Sequence, residues 1–353
     1  MMTPKTNMRL VYYIGAGASA HSLPLACNMP ARMRKLADEL GTDDCRNRVD
    51  PVQRGRLDQL AAQLERLAER ADSRNVTIDE LAKCNHLRGE HEDLRTLKAT
   101  LSALFMIEEG RQPADPRYGH FFAYMADRDT TDAVAMPTDV RVISWNYDHQ
   151  FEKSFAEFTP ESDYHGRRST GDRLQVVPSL IPDRYDPNAF SILKLNGSAG
   201  ERVPPATDSP LRHNPDLYVH PSDFGYSLFL ALRFCENVAS EDLEPYFQFA
   251  FEDDGRRSHT LELVDRFAPV PAVVVIGYSF PQFNRDLDRG IFDALRPSEV
   301  FLQIADDTGV RDRIVGLGVD SDKIKVVEDR EQFFIPYTYS PSERKLPCGI
   351  SAP

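Results

Sequence analysis

The sequence predicts an α/β fold in which a doubly wound, mostly parallel sheet carries a helical insertion. Three observations predict it. Short apolar runs recur along the chain. They are apolar almost continuously rather than alternately, as strands covered on both faces are. Amphipathic stretches lie between many of them, the alternation expected of α/β architectures.

The runs that read as strands are Leu10–Ile14, Val140–Trp145, Ile192–Leu195, Ala272–Ile276, Val300–Ile304 and Ile324–Val327. Most are β-branched or aromatic, and most end in Gly, Asn or Asp. The first two lie far apart, and the interval from about Pro30 to Pro137 reads as helical throughout. Val52–Ala71 carries Leu57, Leu60, Leu64 and Leu67 on one helical stripe, and Leu94–Glu109 repeats the pattern with Leu97, Leu101, Leu104 and Phe105. Thr77 and Glu80 have the spacing of a capping box that opens a short helix. These helices are expected to pack on the sheet and shape a pocket, and no chemistry is assigned to them. Further amphipathic stretches are Phe283–Leu295 and Gly309–Leu317.

Two segments have loop composition: Thr159–Gly171, with its His165-Gly166-Arg167-Arg168 tract, and Glu201–Pro215, with Pro204, Pro205, Pro210 and Pro215. The arginine pair reads as a solvated turn rather than a phosphate clamp. Residues 1–340 read as one domain with the insertion at about 30–137. The Pro- and Ser-rich tail after Pro336, and 341–353 in particular, is expected to be loosely ordered.

The 353 residues carry a formal net charge of −13, which argues against a broad nucleic-acid footprint and for protein or small-molecule partners. Cys27, Cys45, Cys84, Cys235 and Cys348 form no C-x-x-C pair, so no metal site is read from them. The odd count and the short polar stretch Met1–Arg9 point to reduced thiols in a cytoplasmic protein. No apolar run approaches the ~18 residues of a membrane span.

Chemistry-bearing residues cluster where strands end. Gly15-Ala16-Gly17-Ala18-Ser19 follows the first strand directly. A strand followed by a G-x-G turn lets backbone approach a pyrophosphate, the Rossmann-like arrangement. Ser144-Trp145-Asn146-Tyr147-Asp148 closes the second strand. There Asn146 and Asp148 either face a ligand crevice or cap a helix starting near His149. Lys194-Leu195-Asn196-Gly197-Ser198 and Gly277-Tyr278-Ser279-Phe280 close two later strands. Asp306, after Val300–Ile304, is placed either to bind ribose hydroxyls or to cap.

In this order the pieces resemble the sirtuin (silent information regulator) superfamily, in the branch of NAD-hydrolysing domains from bacterial anti-phage defence systems. Gly15, Ala16, Gly17 and Ser19 match its G-A-G-x-S loop. Asn146, Tyr147 and Asp148 match a T-x-N-Y-D element, with Ser144 in place of the threonine. Lys194, Leu195, Gly197 and Ser198 match K-L-H-G-S, and Gly277, Tyr278 and Ser279 match G-Y-S. Thr77-Ile78-Asp79-Glu80-Leu81 resembles a recurring S-I-D-E-F stretch. The resemblance spans roughly residues 10 to 305 and implies NAD as substrate. By it, the loop Gly15–Ser19 holds the pyrophosphate, Asn146 orients a water near the nicotinamide ribose, Asp148 recognises the carboxamide, and Gly277 and Ser279 line the adenosine half.

Two departures stand out. Asn196 occupies the position of the catalytic histidine, and an amide cannot serve as a general base. The zinc-binding cysteine quartet of protein-deacylating sirtuins is missing, which favours the NAD-consuming branch. Asn196 reflects either a naturally attenuated or partner-dependent chain, or an engineered exchange that traps NAD. Reversion to histidine is expected to raise hydrolysis by the general-base factor of ~10²–10⁴ unless another group, such as His149 or His165, supplies the base. The resemblance therefore implies an NAD glycohydrolase of an abortive-infection system, a homo-oligomer working with a HerA-type ATPase or another defence protein. The alternatives are a non-catalytic NAD or ADP-ribose sensor or scaffold and, third, a protein deacylase.

Overall fold

Five consecutive buried residues, Leu10–Ile14, form the strand from which the sheet grows in both directions. The computed structural model describes residues 10–128, 134–158, 173–177, 186, 188–202, 224–240, 243–252, 256–306 and 309–339. Strand β1 (Leu10–Ile14) leads into α1 (Met29–Leu40), α2 (Asp43–Arg48), α3 (Pro51–Arg74), α4 (Ile78–Leu87), α5 (His91–Arg111) and α6 (Pro116–Met125). A short ladder of β2 (Asp127–Arg128) and β3 (Val134–Ala135) precedes β4 (Val140–Ser144) and α7 (Gln150–Phe158). Next come β5 (Val176–Val177), β6 (Ser191–Lys194), β7 (Gly197–Arg202), α8 (Phe224–Ala239) and β8 (Glu244–Phe247). The chain then runs through α9 (Arg256–Phe267), β9 (Ala272–Ile276), α10 (Arg285–Leu295), β10 (Glu299–Gln303), α11 (Val310–Val315) and β11 (Ile324–Val326).

The main sheet has seven strands in the order β11-β10-β9-β1-β4-β6-β5, and every pairing in it is parallel. This is a Rossmann-like, doubly wound architecture. All six strands expected from the sequence enter it. The seventh, Val176–Val177, is too short to stand out as an apolar run. Ile14 is in register with Ser144 and Ile276, Ser144 with Lys194, and Ile276 with Gln303. The loops that follow these five residues therefore emerge together on one edge.

Alternate strand residues point to opposite faces. Val11, Tyr13, Ile143, Val273, Val275 and Leu302 pack with Val264, Leu287, Ile291 and Ile314 from α9, α10 and α11. Leu10, Tyr12, Val142, Ile192 and Val274 pack with Tyr118, Phe121, Phe151 and Phe155 from α6 and α7. Both faces are covered, which is why the strands read as unbroken apolar runs.

The helical insertion is more than a layer on the sheet. The stripe Leu57, Leu60, Leu64 and Leu67 joins Met33, Leu81, Leu104 and, from α8, Leu228 and Phe234 in a separate core. Among the described residues of this region, the buried ones that join the core against the sheet are Tyr118, Phe121, Phe122 and Met125 of α6. The expected capping box forms: the Glu80 N–H donates to Thr77 Oγ1, and the Thr77 N–H donates to the Glu80 carboxylate.

Three expectations need correction. The interval to Pro137 is not helical throughout, because β2 and β3 close it. Glu201 and Arg202 belong to β7, paired with β8, rather than to a loop. Tyr337–Tyr339 forms a 3-10 turn rather than a loose tail, with Tyr339 buried and its hydroxyl donating to Asp139 at 2.9 Å. The basic tract at 165–168, residues 203–215 and the tail at 341–353 lie outside the described residues. No helix among the described residues is long and apolar enough to cross a membrane.

Candidate functional site

From β1 the chain winds outward to β4 and β6 on one side, and from β9 to β10 and β11 on the other. The switch point between β1 and β9 is where open α/β sheets form a ligand crevice. A cleft of about 880 Å³, its open mouth included, lies there. Among the residues expected at the site, Ala16, Ser19, Asn146 and Asp148 line it, as do Asn196, Gly277 and Ser279. Gly15, Gly17 and Asp306 do not line it. Asp306 is exposed beyond β10. The insertion contributes an apolar wall of Ile78, Leu101 and Phe105, and one carboxylate, Asp79.

The glycines of the first loop serve its docking on the loop after β9. The Gly15 N–H donates to the Ile276 carbonyl and the Gly17 N–H to the Gly277 carbonyl, both at 2.9 Å. A Cβ on Gly15 would lie 2.6 Å from Tyr278 Cα, and one on Gly17 would lie 2.7 Å from Gly277 Cα. Gly277 itself has φ +61°, a left-handed conformation that glycine adopts without penalty. Arg117, on α6, secures the same loop by donating to the carbonyls of Ala18 at 3.0 Å and Gly17 at 3.3 Å. The same guanidinium pairs with Asp115 at 2.6 Å. Burial alone would raise the Asp115 carboxyl, but Arg117 holds it below the usual carboxylate range.

Ser19 links this loop to the one after β4. Its hydroxyl donates to Asp148 Oδ2 at 2.8 Å. Because that proton is committed, the Tyr118 hydroxyl 2.8 Å away must donate to Ser19 Oγ, and Asn146 Nδ2 donates to the same oxygen at 3.3 Å. Asn146 Oδ1 takes no hydrogen bond among the described residues. Asp148 also accepts from the Gln150 N–H at the start of α7, at 3.2 Å. It therefore both caps a helix and faces the cleft, whereas Asn146 caps nothing. Burial, and then the charge of Glu109, push Asp148 up to about 7. His149 lies outside the lining, with Nδ1 3.0 Å from Glu109, and burial pushes it down to about 3.

In Lys194–Ser198 the side chains divide between anchoring and lining. Lys194 is buried, donates to the Asp148 carbonyl at 2.6 Å and pairs with Glu152 at 2.5 Å, so it holds the loop after β4 in place. Gly197 has φ +68° and lies against the Tyr246 carbonyl of β8, where no side chain fits. Asn196 lines the cleft, but its amide is engaged at both ends: Nδ2 donates to the Trp145 carbonyl at 3.2 Å, and Oδ1 accepts from the Ala250 N–H at 3.1 Å.

The floor is a buried aromatic and acidic network. Trp145 stacks on Tyr278 with ring centres 5.4 Å apart, and its Nε1 donates to the Tyr13 hydroxyl at 3.0 Å. Tyr13 and Tyr278 donate to Asp288 on α10 at 2.5 and 3.1 Å, while burial pushes this carboxyl up to about 7. Asn284 donates to the Tyr278 hydroxyl at 3.0 Å. Strand-end motifs pointed to Tyr278 and Trp145. Asp288, Tyr118, Arg117 and Glu109 lie inside helices, where nothing in the sequence marks them off from ordinary surface or core positions. Among the described residues no group of three His, Cys, Asp or Glu side chains converges as a metal site.

The chain matches no protein-family model, and no curated protein matches its sequence. Fold and cleft together define a Rossmann-like α/β protein with a mostly apolar crevice, carrying a few polar and acidic groups, at the switch point of its sheet.

Proposed function

We propose that this chain binds NAD in the cleft and hydrolyses it to nicotinamide and ADP-ribose. One observation carries the reading. The residues singled out by resemblance to the NAD-hydrolysing sirtuin branch, among them Ser19, Asn146, Asp148 and Ser279, come from separate strand ends yet line one cleft at the switch point. Nicotinamide leaves a cationic ring as a neutral molecule, so the leaving group needs no proton. The protein's task is to stabilise an oxocarbenium-like state and to place a water. Asn146 Oδ1 is an acceptor suited to that water. A carboxyl poised near neutrality at Asp148 can donate to a carboxamide oxygen or accept from its amide nitrogen.

A second reading, a non-catalytic NAD or ADP-ribose sensor or scaffold, draws on Asn196, whose amide is spent on backbone partners. Both readings allow a homo-oligomer in an anti-phage system with an ATPase partner. Purified protein incubated with NAD, with and without an acetylated peptide, separates them by free nicotinamide. Release without peptide is the expected result. Calorimetric binding of NAD without release gives the scaffold, peptide-dependent release gives a deacylase, and neither binding nor release overturns the proposal.

A further inference from the structure

We infer that Asp79, supplied by the helical insertion and held by Tyr147, is the proton acceptor of the cleft, in the role that Asn196 cannot fill. This rests on the NAD-hydrolase reading above. The Thr77–Glu80 capping box fixes the first turn of α4 and sets Asp79 at its second position. Asp79 lines the cleft with Asn146, Asp148 and Asn196. The Tyr147 hydroxyl donates to Asp79 Oδ1 at 2.6 Å. Tyr147 is itself immobilised, stacked on Phe247 with ring centres 3.8 Å apart and tilted against Phe105 at 5.7 Å. Asp79 and Tyr147 thus form a hydrogen-bonded pair in a cleft that Asn196 also lines.

Asp79 suits the role better than Asp148. Both oxygens of Asp148 are engaged, by the Ser19 hydroxyl and the Gln150 N–H. Among the described residues the Asp79 carboxyl takes only the Tyr147 hydroxyl, and it is half-buried against the opening. Burial raises its affinity for a proton, the Tyr147 hydrogen bond lowers it, and the Glu80 charge raises it. The net shift is upward, toward the working range of a general base. Asp148 across the cleft is the other titratable carboxyl of the lining.

In the step itself a water oxygen bonds to ribose C1′ as the C1′–N bond breaks. The bonding pair leaves with nicotinamide, whose ring nitrogen loses its positive charge. The water's proton passes to the Asp79 carboxylate and from there to solvent. Reactants and products then differ by one water consumed and one proton released.

The test compares the full chain with Asp79→Asn, Asp79→Glu and Tyr147→Phe. Asp79→Asn keeps the shape and removes the base. Nicotinamide release should fall by ~10²–10⁴ in kcat, with NAD affinity by calorimetry and melting temperature little changed, and Asp79→Glu should recover part of the rate. Tyr147→Phe removes the hydrogen bond that favours the carboxylate. The rising limb of the pH–rate profile should move to higher pH, and the Asp79 carboxyl, followed by carbon-13 NMR without NAD, should titrate higher by the same amount. Release by Asp79→Asn equal to that of the unsubstituted chain would overturn the inference and leave the hydrolase reading intact. Binding without release by the unsubstituted chain would overturn it in favour of the scaffold. Neither binding nor release would overturn both. A drop in release accompanied by an equal loss of NAD affinity and melting temperature would make Asp79 a structural residue of α4 and overturn the catalytic role.

Discussion

Gly17 and Gly277 meet backbone to backbone, with the Gly17 N–H donating to the Gly277 carbonyl at 2.9 Å. Each glycine is required by the other's main chain, and together they weld the loop after β1 to the loop after β9 at the rim of the cleft. Gly277→Ala would drive a Cβ into Gly17 and force an L-residue to φ +61°. The combined overpacking and left-handed penalty should cost about 3 kcal/mol or more. Gly309→Ala, at φ +73° with open space around it, carries only the conformational part, about 1–2 kcal/mol. Denaturant unfolding of the two variants checks the difference. Gly17→Val would likewise press a side chain into the Gly277 backbone, so its NAD affinity is to be measured beside a melting curve.

Arg117 should matter to both stability and ligand binding. Arg117→Ala leaves Asp115 buried without its partner and releases the carbonyls of Gly17 and Ala18. Breaking a buried pair in this way costs ~3–5 kcal/mol. Arg117→Lys should recover only part of it, because an ammonium cannot reproduce the guanidinium fork. Thermal melts report the first effect, and calorimetric NAD affinity of whatever fraction remains folded reports the second.

Asn196→His exchanges an amide bonded at both ends for an imidazole. At least one of the Trp145 and Ala250 backbone partners is left unpaired, at a cost of ~1–3 kcal/mol. With Asp79 as proton acceptor, the reversion should lower the melting temperature and raise nicotinamide release by well under the ~10²-fold of a newly installed base. A larger rise at saturating NAD would return the role to position 196.

Asp288 makes stability depend on pH in a definite direction. Burial raises its folded-state pKa from the ordinary 3.8 to about 7, so between these values the folded chain holds a proton that the unfolded chain has released. The contribution of the protonated form is complete below about pH 3.8 and is lost as pH rises through about 7. Asp148 is shifted in the same direction. Asp288→Asn should therefore flatten, without abolishing, the decline in melting temperature from pH 4 to 7. An unchanged slope would place the titration elsewhere.

Much of this fold is legible in the sequence because its signals are local. A continuous apolar run such as Ala272–Ile276 states that both faces of a strand are covered, and Thr77 with Glu80 encodes a helix start within four residues. The strand-end motifs likewise contain ten residues that line the cleft, from Ala16 to Ser279. Val176–Val177 escaped because two residues carry no period. The β7–β8 pair escaped because its first strand, Gly197–Arg202, is mostly small and polar residues.

By itself the sequence determined which segments become strands and helices, where a parallel sheet's carboxyl edge would gather polar side chains, and that position 196 carries no titratable group. Only the tertiary structure decided which of those side chains meet. Tyr147 reaches Asp79 across 68 residues of chain, and Ser19 reaches Asp148 across 129. It also decided that the glycines of the first loop serve a second loop rather than line the cleft, and that the Asn196 amide is held by backbone. The physical reason is one of range. Burial periodicity and capping are written into neighbouring residues, whereas a hydrogen bond or a close backbone approach between distant segments depends on strand order and register, which no local pattern contains.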